Sequence, residues 1–107
     1  MSPQTEERVT GFLGLCYKAG RVISGQEACV ELIRSDAAAL VLMDVSASEN
    51  TQKRLTDAAH SHNTPLYALS AGTLGHAIGK KGRMAVAFRA DGMAQKLLSL
   101  LENEPRL

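Results

Sequence analysis

Ala39-Leu-Val-Leu-Met43 is five apolar residues in a row. A strand with one wet face alternates apolar and polar side chains, so an unbroken apolar run of this length belongs to a strand covered on both faces. Helices must then lie above and below it. Upstream, Glu6 to Ala19 carries Val9, Phe12, Leu13, Cys16 and Tyr17 at the i, i+3, i+4, i+7, i+8 spacing of one helical face, and Gly20 stops it. Gly11 and Gly14 weaken that helix or permit close packing. Arg21 to Ser24 is a short extended piece. Ser24-Gly-Gln-Glu27 then has the spacing of a capping box, opening a helix to about Ser35 that turns Ala28 and Leu32 inward, with Cys29 and Ile33 as further inward candidates.

Downstream the alternation continues. Ser46-Ala-Ser-Glu49 reads as a second capping box, for a helix to about Ser61. Pro65 bars that helix from running on, and Leu66 to Leu69 is a strand. Ser70 caps a short helix through Leu74, Ala77 and Ile78 that ends at Gly79. Gly79-Lys-Lys-Gly82 is a loop, and Arg83 to Phe88 a strand with Val86 and Phe88 on one face. Asp91 caps a last helix with a Met93, Leu97, Leu100, Leu101 stripe, and Glu102–Leu107 is expected to fray. Helix and strand alternate almost throughout, which predicts an α/β fold: a four-stranded sheet between two helical layers.

At 107 residues this is room for one domain. With 4% aromatic residues and no Trp, its core must be aliphatic. The polar, acidic N-terminus has no signal-peptide pattern, and no apolar stretch approaches the roughly 20 residues of a membrane span. Two cysteines are too few for a disulfide scaffold or a four-ligand zinc site, so Cys16 and Cys29 read as buried thiols of a cytoplasmic protein.

The net charge is only +1, yet its distribution is uneven. From Ala58 to Ala90 there is no Asp or Glu, while that stretch holds Lys80, Lys81, Arg83, Arg89 and all three histidines. Either this is chance clustering or the protein presents one basic face. Enzyme motifs fail one by one. The glycines near Lys80 lack P-loop spacing, no hydroxyl follows the lysine, and a strand rather than a helix comes next. His60-Ser-His62 has no third ligand nearby. No serine sits in a Gly-x-Ser-x-Gly context, and no paired carboxylates stand out. His76, beside the basic loop, is either a phosphate contact or plain surface. The turn Ser24-Gly25-Gln26-Glu27, preceded by Lys18 and Arg21, is either a simple capped helix or a phosphate-binding helix start.

Leu13-Gly-Leu-Cys-Tyr-Lys-Ala-Gly-Arg-Val-Ile-Ser-Gly25 resembles the opening of the kink-turn-binding ribosomal-protein superfamily of the L-seven-Ae type, most nearly its bacterial YlxQ-like branch. Ala39–Met43, Ser46-Ala-Ser-Glu-Asn-Thr51, Thr64-Pro-Leu-Tyr67 and above all Leu74-Gly-His-Ala-Ile-Gly79 continue the likeness, which spans roughly Phe12 to Leu98. It implies a three-layer α/β/α sandwich with a four-stranded mixed sheet, and an RNA-binding, ribosome-associated protein rather than an enzyme. In that family the start of the second helix enters the widened groove of a bent RNA and reads sheared G·A pairs. A loop before the last strand closes over flipped-out nucleotides. Carried onto this chain, the RNA-binding residues are Lys18, Arg21, Ser24, Gly25, Gln26 and Glu27 on one side of the site, and Lys80, Lys81 and Arg83 on the other. Structured RNA is the implied partner; no cofactor, metal, membrane or small-molecule substrate is implied.

The chain departs from the family where RNA is read. The family motif runs Gly-x-Asn-Glu-x-x-Lys; here Gly25 and Gln26 keep its start, but Glu27 stands for the Asn, Ala28 for the Glu and Glu31 for the Lys. The usual Glu-Asp after the second strand is Val45-Ser46, and the loop before the last strand, commonly apolar in archaeal members, is basic. Ala28 cannot accept from a guanine edge, and Glu31 reverses a charge near phosphates. The resemblance therefore implies an RNA binder of relaxed or altered specificity, with a protein–protein interaction module of the same fold as the alternative. Basic side chains lining one rim favour RNA; scattered ones favour the module.

Overall fold

Alternation along two strands divides the core. In β2 (Leu40–Asp44) and β4 (Ala85–Phe88), Leu40, Leu42, Val86 and Phe88 point to one side of the sheet, and Val41, Met43, Ala85 and Ala87 to the other. The computed structural model describes residues 1–107. The remaining elements are α1 (Pro3–Lys18), β1 (Ile23–Ser24), α2 (Gln26–Arg34), α3 (Glu49–Ser61), β3 (Leu66–Leu69), α4 (Thr73–Ile78) and α5 (Gly92–Leu100). The sheet order is β1-β4-β2-β3, antiparallel except for the β2–β3 pair. This is the mixed four-stranded sheet expected, inside a three-layer α/β/α sandwich.

Helices α1, α4 and α5 cover the first face with Val9, Leu13, Cys16, Leu74, Ile78, Ala94, Leu97 and Leu101. Helices α2 and α3 cover the second with Cys29, Val30, Leu32, Ile33, Leu55, Ala58 and Ala59. Gly14 lets α1 approach α4: a Cβ there would stand 3.1 Å from the Ala77 carbonyl oxygen. Both cysteines are free and buried; burial pushes the Cys29 thiol up to about 12 and raises that of Cys16.

Several local expectations are corrected. Neither capping box forms. Ser24 is drawn into the sheet opposite Val86, Gly25 occupies the N-cap of α2 without a side-chain bond, and Glu27 pairs with Arg54. In the second case Ser48, not Ser46, caps α3, its Oγ accepting from the Thr51 amide at 3.2 Å. Ser46 bonds Asp44 instead. Ser70 does not cap α4, which begins after Gly72; its amide and hydroxyl donate to Glu6 Oε2 at 2.9 and 3.0 Å. Asp91 caps α5 as expected, accepting from the Ala94 amide at 2.8 Å.

The tail is tied down rather than frayed. The Leu107 amide donates to the Leu66 carbonyl on edge strand β3, at 2.9 Å. Glu104 Oε1 accepts from the Ser2 amide at 2.9 Å, and His60 Nε2 meets the Leu107 carbonyl at 2.9 Å. Partners so far apart along the chain leave no local signature.

Candidate nucleic-acid interface

Strands β2 and β3 run parallel, and their carboxyl ends lie at one end of the sheet with the start of β4. Open α/β sheets bind ligands outside such strand ends. Four segments meet here: the start of α2, the β2–α3 loop, the β3–α4 loop and the α4–β4 loop.

The start of α2 is held by backbone geometry. Gly25 adopts φ +108°, a region closed to other residues without strain, and its amide donates to the Ala85 carbonyl at 3.0 Å. With no side-chain cap, the amides of the first turn keep their capacity to meet an anion. Gln26 is fixed by Thr51, whose hydroxyl donates to Gln26 Oε1 at 2.7 Å. Glu27 is exposed, and the Arg54 guanidinium hydrogen-bonded to it lowers its carboxyl pKa.

Beside this turn stands the basic loop. Arg83 reaches Gly25: a Cβ on Gly25 would come within 3.0 Å of Nη1. The loop folds back on α4, with the Lys80 amide donating to the Gly75 carbonyl at 2.9 Å and the Arg83 amide to the Lys80 carbonyl at 3.2 Å. Gly75 is needed for that closeness, since a Cβ there would stand 2.9 Å from the Lys80 carbonyl oxygen. The loop, α4 and the end of β2 border an open cavity of about 420 Å³, lined by Asp44, His76, Lys81, Arg83, Met84, Gly72, Gly75, Gly79 and Gly82.

Asp44 forms the floor and is the one charged side chain among the buried residues. Its Oδ1 accepts from the Ser46 amide at 2.7 Å and the Ser46 hydroxyl at 2.6 Å, and its Oδ2 from the Gly72 amide at 2.8 Å. Desolvation pushes its carboxyl up, but the Ser46 and Gly72 hydrogen bonds together outweigh that and hold it below the ordinary aspartate range.

The expected site residues fall into two groups. Ser24, Gly25, Gln26 and Glu27 lie at this end of the sheet, as does the loop of Lys80, Lys81 and Arg83, and the two meet where Arg83 stands against Gly25. Lys18 lies in the last turn of α1, and Arg21 lies at the other end of β1, in a hollow of about 270 Å³ shared with Arg89, Ala90 and Asp91. Three residues, of which Ile23 and Ser24 are strand, lie between Arg21 and Gly25, a span of at most roughly 13 Å. The ion pairs are Lys53–Asp57, Arg54–Glu27 and His62–Asp36, so every cation of both groups is unpaired. Sequence reasoning missed Asp44, Gly72 and Thr51, whose parts depend on contacts across the chain. An acidic residue closing an apolar run was the only signal for Asp44.

Fold and site together define a three-layer α/β/α protein with a cationic, glycine-lined cleft at the carboxyl end of its parallel strands. A family model described as the Ribosomal protein L7Ae/L30e/S12e/Gadd45 family matches residues 7–98, and the chain belongs to that family. The RNA-binding protein YlxQ of Bacillus subtilis (strain 168) is 41% identical over 92 residues, 85% of this chain and 92% of that one. The RNA-binding protein YlxQ of Enterococcus faecium is 30% identical over 103 residues, 95% and 99% of the two chains. These relatives agree with the YlxQ-like branch read from the sequence. Among solved structures, a protein of unknown function from Bacillus halodurans C superposes with a TM-score of 0.80 at 28% identity, covering 89% of this chain and 97% of that one. The Giardia lamblia 15.5kD RNA binding protein shares the fold, with a TM-score of 0.75 at 11% identity, over 95% and 91% of the two chains.

Proposed function

We propose that this chain is a non-enzymatic, ribosome-associated RNA-binding protein that takes kink-turn-like or otherwise structured RNA at the carboxyl end of its parallel strands, residues 1–107 acting as one unit. The observation that carries this reading is the meeting of the uncapped start of α2 with the Lys80–Arg83 loop across Gly25. Amides of a helix start and nearby guanidinium and ammonium groups suit phosphate. The cavity beside them is in the size range of small-ligand sites, roughly 300–1,000 Å³, and could admit an unstacked nucleotide. Structured RNA is recognised by shape and by such splayed bases. The RNA-binding relatives support the reading, which extends their activity to this chain.

Base specificity would be relaxed. Ala28 is half-buried and offers no acceptor, and Glu27 is occupied by Arg54. Phosphate contacts would position the RNA while few base contacts specify it. Lys18 and Arg21, at the far end of β1, would touch only an RNA long enough to reach them. Their separation from the loop also favours a second reading, a protein–protein interaction module of the same fold.

Binding of a fluorescent kink-turn RNA at two salt concentrations, beside a duplex with Watson–Crick pairs in place of the G·A pairs, separates these. Tight binding of the kink-turn alone means the family's mode survives. Equal, strongly salt-dependent binding of both means a general RNA binder. Binding of neither overturns the RNA reading in favour of the interaction module.

A further inference from the structure

A carboxylate is an unexpected floor for a site that would receive phosphates. Asp44 nevertheless touches every loop that forms the cavity. Its amide donates to the Met84 carbonyl, at the end of the α4–β4 loop, at 2.8 Å. Oδ1 takes two donors from Ser46 in the β2–α3 loop, and Oδ2 takes the Gly72 amide in the β3–α4 loop. Ser46 in turn sets its hydroxyl 3.8 Å from Met84 Sδ. The side chain has no exposed surface, so its charge is offset by these donors and is not presented to a ligand.

Gly72 matters beyond its amide. It occupies the N-cap of α4 at φ +80°, lines the cavity, and is where α4 sets out toward Gly79 and the basic loop. Fixing Gly72 therefore fixes where His76, Lys81 and Arg83 stand relative to the start of α2.

We propose that Asp44 is a positioning residue of the RNA site: a buried carboxylate that fastens the β2–α3 and β3–α4 loops to each other and so holds the cavity open in its binding geometry. This rests on the RNA reading above and adds to it a residue that touches no RNA. The idea has an unusual sign. Removing a negative charge beside a phosphate site should strengthen binding by Coulomb's law alone. Removing a fastener should weaken it. In Asp44→Asn one of the two loops loses its acceptor, because an amide offers one oxygen where a carboxylate offers two.

The test measures kink-turn RNA affinity for wild type, Asp44→Asn and Ser46→Ala, each shown by circular dichroism to be folded at the assay temperature. The expected result is a loss of about tenfold in Asp44→Asn, equivalent to ~1.4 kcal/mol. Its salt slope should not steepen, since no phosphate-binding cation is gained, and Ser46→Ala should lose less. Equal or tighter binding by Asp44→Asn overturns the proposal. If Asp44→Asn does not fold, Ser46→Ala decides: a measurable loss supports the fastening role, and unchanged affinity overturns it. The ¹H–¹⁵N spectrum of the free protein gives a readout without RNA. The Ser46 and Gly72 amide signals should move together as Asp44 titrates in wild type, and independent behaviour refutes the fastening. Should wild type bind neither kink-turn nor duplex, the RNA reading fails on its own, and the amide signals still decide whether Asp44 couples the loops.

Discussion

Arg83 leans on Gly25 across the gap between the basic loop and the start of α2, so near that a methyl group on Gly25 would lie 3.0 Å from the guanidinium. The guanidinium can swing aside, but the backbone at φ +108° and ψ 143° cannot relax without breaking the Gly25–Ala85 bond. Gly25→Ala should therefore destabilise the fold by about 1–3 kcal/mol, the cost of holding a non-glycine residue in a glycine-only region. A lower urea midpoint at unchanged m-value is the result to look for; an unchanged midpoint would show that this turn is not strained.

Lys80 and Lys81 are exposed and unpaired, so they should act on RNA and not on the fold. Replacing both by Glu should weaken RNA binding and flatten the plot of log affinity against log salt by about one unit for each phosphate no longer neutralised. The melting temperature should hardly move. Unchanged affinity would remove the loop from the site.

Glu27 poses the reverse case. Its partner Arg54 is held to it on the exposed face beside the start of α2. Glu27→Gln should release Arg54 and remove a negative charge, strengthening RNA binding and steepening the salt dependence by up to about one unit. Exposed pairs of this kind contribute little to folding, so stability should be nearly unchanged. Weaker binding in this variant would mean that Glu27 itself contacts the RNA.

Acid should expose the work of Asp44. Its folded-state pKa lies below the ordinary value, so its stabilisation is fully present above the unfolded pKa of about 3.9 and disappears as pH falls through the folded value. Urea midpoints measured from pH 5 downward should fall more steeply for wild type than for Asp44→Asn. At neutral pH the variant should be less stable by about 1–3 kcal/mol, because a part-buried hydrogen bond to a charged group is lost. Parallel curves would show that Asp44 contributes nothing to the acid transition.

Gly75→Ala would push a methyl group to 2.9 Å from the Lys80 carbonyl, a backbone atom that cannot rotate away. Overpacking of this kind costs about 1–3 kcal/mol. Faster amide exchange at Lys80 and Arg83, with a lower melting temperature, is the expected signature.

Local pattern was enough for most of the architecture. The apolar run at residues 39–43 identified β2 to within a residue, Leu66–Leu69 was read with both ends right, and Gly79 ended α4 where expected. Segments failed where a distant partner outbid the local one. Ser24 had a capping geometry available but was claimed by the ladder with β4, and Ser46 was claimed by Asp44. The tail looked free because Leu66, Ser2 and His60, which hold it, lie far away in sequence. The site shows the same division. The glycine turn and the basic loop were visible as composition, whereas their meeting depended on the antiparallel register Ser24↔Val86, which no short window contains.

The face of β4 that meets α2 carries only methyl groups, those of Ala85 and Ala87, while its other face carries Val86 and Phe88. Two such small side chains let α2 sit close over β4, so its height there is set by the helix's own buried Cys29, Val30, Leu32 and Ile33 and not by its exposed residues. The exposed positions of that helix can therefore be rewritten as on a rigid printing block: the type changes, the plate does not. Change at Glu27 and Glu31 is then inexpensive for folding, and one recognised surface could be exchanged for another without first having to rebuild the protein beneath it.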